Sequence, residues 1–296
     1  MLIVVLDAAR ADHFGCYGYD RPTTPNIDEL ALESVVFERA LSDASWTVPS
    51  IASLLSGLPP VHHGVVRSGG VLPEAVTTLA EVLTDRGYRT AAFTENPLID
   101  PEYGFGQGFQ HFRQFIERSA REKAAFGSEE FDLSRAHEHV AEMADWIDAA
   151  ADDAPFLLYA HFLRPHNPYH ALPEHAGHLS LSYSGKLTGG TRELFTLQLR
   201  KADLSESDLQ HLVDLYDENL LSADALAGEL IGALRQRRLL ESTITVLLSD
   251  HGEGFREHGT LLHGEQVYQE SIHVPFMIRF PQAAAVEPRR GAHWSS

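Results

Sequence analysis

Leu2-Ile3-Val4-Val5-Leu6-Asp7 sets five consecutive apolar residues at the start of the chain and closes the run on a carboxylate. A run of Leu, Ile and Val without polar alternation predicts a strand covered on both faces, at the centre of a largely parallel sheet. Similar runs follow at Thr90 to Thr94, Phe156 to His161, Thr243 to Leu248 (leading into Asp250-His251) and Val274 to Phe280. Helical patterns separate them. One is begun by Pro25 and passes through Leu30 and Leu32. A second is begun by Pro49 and stops at Gly57, each proline lying near a first helical turn. Thr77 to Arg86 is closed by Gly87, Ser134 caps a helix through Val140, Met143 and Ile147, and a long helix runs from Asp208 past Leu234. Strands alternating with amphipathic helices predict an α/β fold, and one domain over residues 1–296. Asn96 to Ser134 and His170 to Ser205 lack periodicity and are expected to be loops over the active face.

The composition narrows the function. With 42 acidic and 23 basic residues the formal charge is −19, so a nucleic-acid backbone is repelled and no nucleic-acid partner is expected. Hydrophobic content is 44% and mean hydropathy −0.18. No apolar run approaches the roughly 20 residues that cross a bilayer, so no membrane span is expected. The single cysteine, Cys16, cannot form an internal disulfide, and the opening strand carries no basic leader, which together predict a cytoplasmic protein.

In an open α/β sheet, ligands collect at the carboxyl ends of the strands. Asp7, Asp250-His251, and His161 with His166 all lie just after apolar runs. Singly, each also fits a helix cap or a turn. Together, two carboxylates and an imidazole form an oxygen and nitrogen donor set for a divalent cation. Thr47 stands directly before a Pro-initiated helix, where free N–H groups and the helix dipole favour an anion, and it fits an ordinary N-cap equally well. His62-His63 and His170 are read as surface histidines.

Asp7-Ala8-Ala9-Arg10-Ala11-Asp12-His13, with Gly15-Cys16-Tyr17-Gly18-Tyr19 and Thr23-Thr24-Pro25-Asn26, resembles the opening of the sulfatase branch of the alkaline phosphatase superfamily. Thr47-Val48-Pro49-Ser50 stands where that family carries its nucleophile, and Pro165-His166-Asn167-Pro168-Tyr169 resembles its Pro-His-x-Pro-Tyr segment. Ser249-Asp250-His251-Gly252-Glu253, Glu257-His258-Gly259, His263-Gly264 and Tyr268 to Pro275 resemble its C-terminal signature. The resemblance implies a three-layer α/β/α sandwich around a mostly parallel sheet. It implies that Asp7, Asp250 and His251 hold one divalent metal ion (Mn, Mg, Ca or Zn) and that Thr47 bridges this ion and a small anionic ester. It also implies that His166 and His263 contact the ester oxygens or protonate the leaving group, with Arg10, Arg164 and His161 as substrate contacts. Arg10 fits a structural ion pair as well.

Three departures from the family pattern carry chemical consequences. Threonine cannot become formylglycine, and Ile51 stands where the family has an arginine, so phosphodiester chemistry is favoured over sulfate hydrolysis through an aldehyde. Asp7-Ala8 replaces the usual Asp-Asp pair, which removes an oxygen ligand and favours manganese, magnesium or zinc over a calcium cage. The chain is short of the family's length, so a reduced or missing C-terminal subdomain and a homodimer through an exposed edge are expected. The leading expectation is a metal-dependent hydrolase of sulfate or phosphate esters. A phospho-headgroup transferase of the phosphoglycerol or phosphoethanolamine type and a non-catalytic relic are the alternatives.

Overall fold

The strand Leu2–Asp7 (β1) is buried along its whole length and is flanked by parallel neighbours on both sides, Phe156–Pro165 (β5) and Thr245–Ser249 (β6). Its alternating side chains feed two separate cores, as the period of two requires. Leu2, Val4 and Leu6 pack with Met143, Leu226 and Leu230, whereas Ile3 and Val5 pack with Val48, Ile51 and Leu55. The helices Pro25–Leu32, Ala136–Asp148 and Glu206–Gln236 therefore cover one face of the sheet, and Thr47–Ser56 and Leu79–Thr84 cover the other. This is the expected three-layer sandwich. Burying each Leu of β1 contributes about 1.5–3 kcal/mol, which fixes the strand on which the first site carboxylate ends.

The computed structural model describes residues 1–67, 69–116, 133–149, 154–180, 183–281 and 284. The remaining strands are Val35–Val36 (β2), Arg89–Thr94 (β3), His111–Gln114 (β4), Gly254–Phe255 (β7), Leu261–Leu262 (β8) and Phe276–Arg279 (β9). The main sheet runs β2-β9-β6-β1-β5-β3-β4, and β7 and β8 form a separate hairpin. The pairs among β6, β1, β5, β3 and β4 are parallel, while β9 and β2 add antiparallel at one edge.

Several expected boundaries shift for local reasons. The second helix begins at Thr47 rather than Pro49, with extended Trp46 as its N-cap and Gly57 ending it at φ 68°. The longest helix begins at Glu206, because Ser205 and Asp208 form a reciprocal capping box. Within the two aperiodic stretches lie β4 and the helix Thr191–Leu199. Residues 117–132 of the first stretch and 181–182 of the second lie outside the described residues. His63 is not a surface histidine: it is buried, accepts the Val65 N–H at Nδ1 (3.1 Å) and sets Nε2 3.1 Å from Ser53 Oγ. Among the described residues no helix is long and apolar enough to cross a membrane.

Candidate active site

The site grows from the parallel pairing of β1 with β6, which sets Leu6 opposite Ser249 and brings the residues that follow each strand to the same sheet edge. Ala8 turns the chain there with φ 59°, a left-handed conformation that costs a non-glycine residue about 1–2 kcal/mol. This turn aims the Ala8 N–H at Asp250 Oδ1 (3.1 Å), and the Ala9 N–H reaches Ser249 Oγ (2.9 Å). Asp7, Asp250 and His251 are buried, and their donor atoms lie within 4.8 Å of one another. His251 Nε2 is 3.5 Å from Asp7 Oδ1 and 3.4 Å from Asp250 Oδ2. Thr47, first residue of its helix, places Oγ1 3.2 Å from the same Nε2.

The donor chemistry fits a divalent cation. Asp7 Oδ1 and Asp250 Oδ2 are both buried and have no hydrogen-bond partner. Leaving two such oxygens bare in the interior costs several kcal/mol unless a positive charge compensates them. His251 donates from Nδ1 to Gly252 O (2.9 Å), which leaves the Nε2 lone pair facing the two bare oxygens. The electrostatics agree. Burial, followed by the neighbouring Asp7 charge, pushes the Asp250 carboxyl above its ordinary range. Burial acts in the same direction on Asp7, yet His166, His161 and His251 outweigh it and hold that carboxyl low. Burial also lowers His251 and favours the neutral ring, the form that ligates.

His166 and His263 form one wall. The ring of His263 lies 4.3 Å from that of His251 and 4.9 Å from that of His166, centroid to centroid. His166 Nδ1 donates to Asn167 O (2.6 Å), and Asn219 Nδ2 ties down the carbonyls of Pro165 and His166 (3.0 and 3.2 Å). His263 Nδ1 lies 3.0 Å from Oε1 of buried Glu253. Burial would raise Glu253, but the charge and hydrogen bond of His263 outweigh it and keep the carboxyl ionised.

The three residues expected as substrate contacts all engage protein groups. Arg10 is 6% exposed and fully occupied: Nε and Nη2 meet Asp12 (2.9 and 2.7 Å), and Nη1 meets Glu253 O (3.1 Å) and Glu257. It clamps the segment that carries Glu253, which is the structural ion pair. Arg164 is 3% exposed and turns its guanidinium to Leu133 O (3.4 and 3.5 Å). His161 is fully buried beneath Asp7, with Nε2 3.1 Å from Oδ2. Sequence reasoning missed Asn96, whose Nδ2 donates to the same Asp7 Oδ2, and Tyr159, whose hydroxyl lies 3.0 Å from His161 Nδ1. Asn96 stands two residues past the Thr90 to Thr94 run as Asp7 ends the Leu2 to Leu6 run, so the strand-end rule could have found it. Nothing in an apolar strand marks Tyr159.

A mostly parallel α/β sandwich that gathers two carboxylates, an imidazole and a helix-terminal hydroxyl at its carboxyl edge defines the alkaline-phosphatase-like class. The chain belongs to the sulfatase family: the family model described as Sulfatase matches residues 1–293. The Delta 4,5-hexuronate-2-O-sulfatase of Bacteroides thetaiotaomicron is 25% identical over 307 residues, covering 95% of this chain and 62% of that protein. The ulvan-active sulfatase of Formosa agariphila is 26% identical over 295 residues, covering 95% of this chain and 56% of that protein. The chain thus spans about three fifths of the length of these curated relatives. Among solved structures, the phosphonate monoester hydrolase of Agrobacterium radiobacter superposes with a TM-score of 0.74 at 21% identity, covering 98% of this chain and 69% of that one.

Proposed function

We propose that this chain carries a cation-dependent ester hydrolase site in which Thr47 is the nucleophile and a phosphodiester or related anionic ester is the substrate. The observation that carries this reading is the pair of bare, buried oxygens, Asp7 Oδ1 and Asp250 Oδ2, facing His251 Nε2 beside the Thr47 hydroxyl. Asp7, Asp250 and His251 would hold the cation, with Thr47 Oγ1 as the fourth protein donor. When bound, a divalent cation favours the deprotonated hydroxyl and offsets charge on the ester oxygens.

The chain's own residues supply the rest. The first turn of the Thr47–Ser56 helix has no side chain capping its N–H groups, so those groups and the helix dipole can receive an ester oxygen. Thr47 Oγ1, once deprotonated, attacks phosphorus, and the bond from phosphorus to the leaving oxygen breaks. His263, held at Nδ1 by Glu253, keeps Nε2 available to give that oxygen a proton, and His166 is oriented likewise by Asn167 O. Water then displaces Thr47 and releases the phosphate product. Because Thr47 cannot form an aldehyde hydrate, sulfate esters should be poor substrates.

Purified protein supplied with Mn2+, Mg2+, Zn2+ or Ca2+ should cleave an aryl phosphodiester faster than an aryl sulfate. Thr47→Ala should lower turnover about 10³-fold or more while leaving the circular dichroism spectrum and melting unchanged. A Thr47→Ala protein with wild-type rates overturns the reading. Added glycerol separates water from an alcohol as acceptor, since a transferase would yield a glycerol phosphodiester.

A further inference from the structure

Tyr159 and His161 are two apart on β5, so their side chains point to the same face of the sheet, below Asp7. Both are buried, at 1% and 0% exposure. An ionised carboxylate only accepts, so His161 Nε2–H donates to Asp7 Oδ2 (3.1 Å), and Nδ1 accepts from the Tyr159 hydroxyl (3.0 Å). Asn96 Nδ2 donates to that same Oδ2. One oxygen of Asp7 therefore takes every donor and the other takes none. Asp250 is treated the same way by backbone: the N–H groups of Ala8 (3.1 Å) and His251 (3.0 Å) both reach Oδ1, and Oδ2 stays bare.

We propose that Tyr159 and His161 are a positioning pair that locks Asp7 as a single-oxygen ligand, and that this lock makes the centre select zinc or manganese over calcium. The proposal rests on the reading of Asp7, Asp250 and His251 as cation ligands. Calcium gathers six to eight oxygens, commonly through two-oxygen carboxylates. For Asp7 to offer both oxygens, Oδ2 would have to release His161 and Asn96, leaving two buried donors without acceptors. The lock instead leaves two single oxygens, one imidazole nitrogen and one hydroxyl, a small mixed donor set that suits zinc or manganese. The discrimination is thus set by side chains that do not touch the cation.

The test is direct binding, independent of catalysis. Chelator-treated protein is titrated calorimetrically with ZnCl2, MnCl2 and CaCl2 separately, and the melting temperature is followed with each. Wild type should bind Zn2+ and Mn2+ about 100-fold more tightly than Ca2+. His161→Phe should weaken Zn2+ binding about 10–100-fold and narrow the Zn2+/Ca2+ ratio, with Tyr159→Phe intermediate. His161→Gln, which keeps an N–H at comparable reach, should recover most of the ratio. If His161→Phe does not fold, Tyr159→Phe carries the test. Wild type that binds Ca2+ as tightly as Zn2+, or Phe variants that keep the wild-type ratio, overturns the lock while leaving the hydrolase reading intact. Wild type that binds no divalent cation overturns both.

Discussion

Asp7 and Glu95 stand at the ends of β1 and β3 on the same edge of the sheet. Both are fully buried, and each has an imidazole beside it. Glu95 has a partner for each oxygen: His139 Nδ1 at Oε1 (2.8 Å) and the Leu163 N–H at Oε2 (3.0 Å). Asp7 has two donors on one oxygen and none on the other. Burial and a histidine neighbour therefore do not distinguish a ligand from a brace. What sets Asp7 apart is convergence: its unpartnered Oδ1 and that of Asp250, Oδ2, both lie within 3.5 Å of His251 Nε2, whereas Glu95 leaves no oxygen without a partner.

Substitution by the isosteric amide should separate the two kinds of carboxylate, and the largest effect falls on the ligand side. In Asp250→Asn the amide oxygen can keep the Ala8 and His251 N–H groups, while the NH2 points at Asp7 Oδ1 in place of a bare oxygen. Cation affinity should fall about 100-fold or more by calorimetry. The cation-free protein should become more stable to urea by about 1 kcal/mol, since a raised carboxyl pKa marks a charge that opposes folding. The sign gives a pH signature. Because the folded value exceeds the unfolded one, cation-free wild type loses this increment as pH rises through the carboxyl range, and the variant does not.

Glu95→Gln should behave in the opposite sense. Its amide cannot accept at both positions, so either His139 or the Leu163 N–H loses its acceptor, at about 1–3 kcal/mol in urea unfolding. Cation affinity should stay within about threefold of wild type, because the carboxylate has no oxygen to give. A Glu95→Gln protein of wild-type stability would dissolve the contrast. Ala8→Gly sharpens it more gently. Glycine removes the left-handed strain at φ 59° but enlarges the unfolded ensemble, so the net gain should be under about 1 kcal/mol. The looser turn should weaken the N–H contact to Asp250 and lower cation affinity severalfold.

The sequence made legible whatever burial writes into composition. Continuous apolar runs announced β1, β3, β5 and β6, and the polar residues ending two of them announced Asp7 and Asp250-His251. A hydroxyl before a proline-led helix announced Thr47. Orientation and pairing were not legible. Nothing in Val274 to Phe280 shows that β9 runs antiparallel to β6, and the two-residue β2 carries no period. Arg164 was expected to contact a substrate anion from the family resemblance, and His161 was singled out because it ends an apolar run. The strand continues four residues beyond His161, to Pro165, and that extension buries them both. Glu253 and His263 meet only because the intervening β7–β8 hairpin folds back, a contact that spacing along the chain does not encode.

The smallest effect tests how far the contrast depends on burial. His137 joins carboxylates as His161 and His139 do, with Nδ1 at Glu229 (2.7 Å) and Nε2 at Glu174 (2.9 Å), but its side chain is 50% exposed. The hydrogen bonds to Glu229 and then Glu174 raise its pKa above the ordinary imidazole value. A raised folded value means that the protonated ring stabilises the fold fully below the unfolded pKa near 6.5, and that this contribution disappears as pH climbs through the folded value. Water screens the pair, so His137→Gln should cost only about 0.5 kcal/mol at pH 6 and nothing measurable near pH 9. Urea unfolding of both proteins at the two pH values checks this. A loss of equal size at both pH values would mean that the ring acts by packing and that its exposed carboxylate contacts contribute no charge-dependent stability.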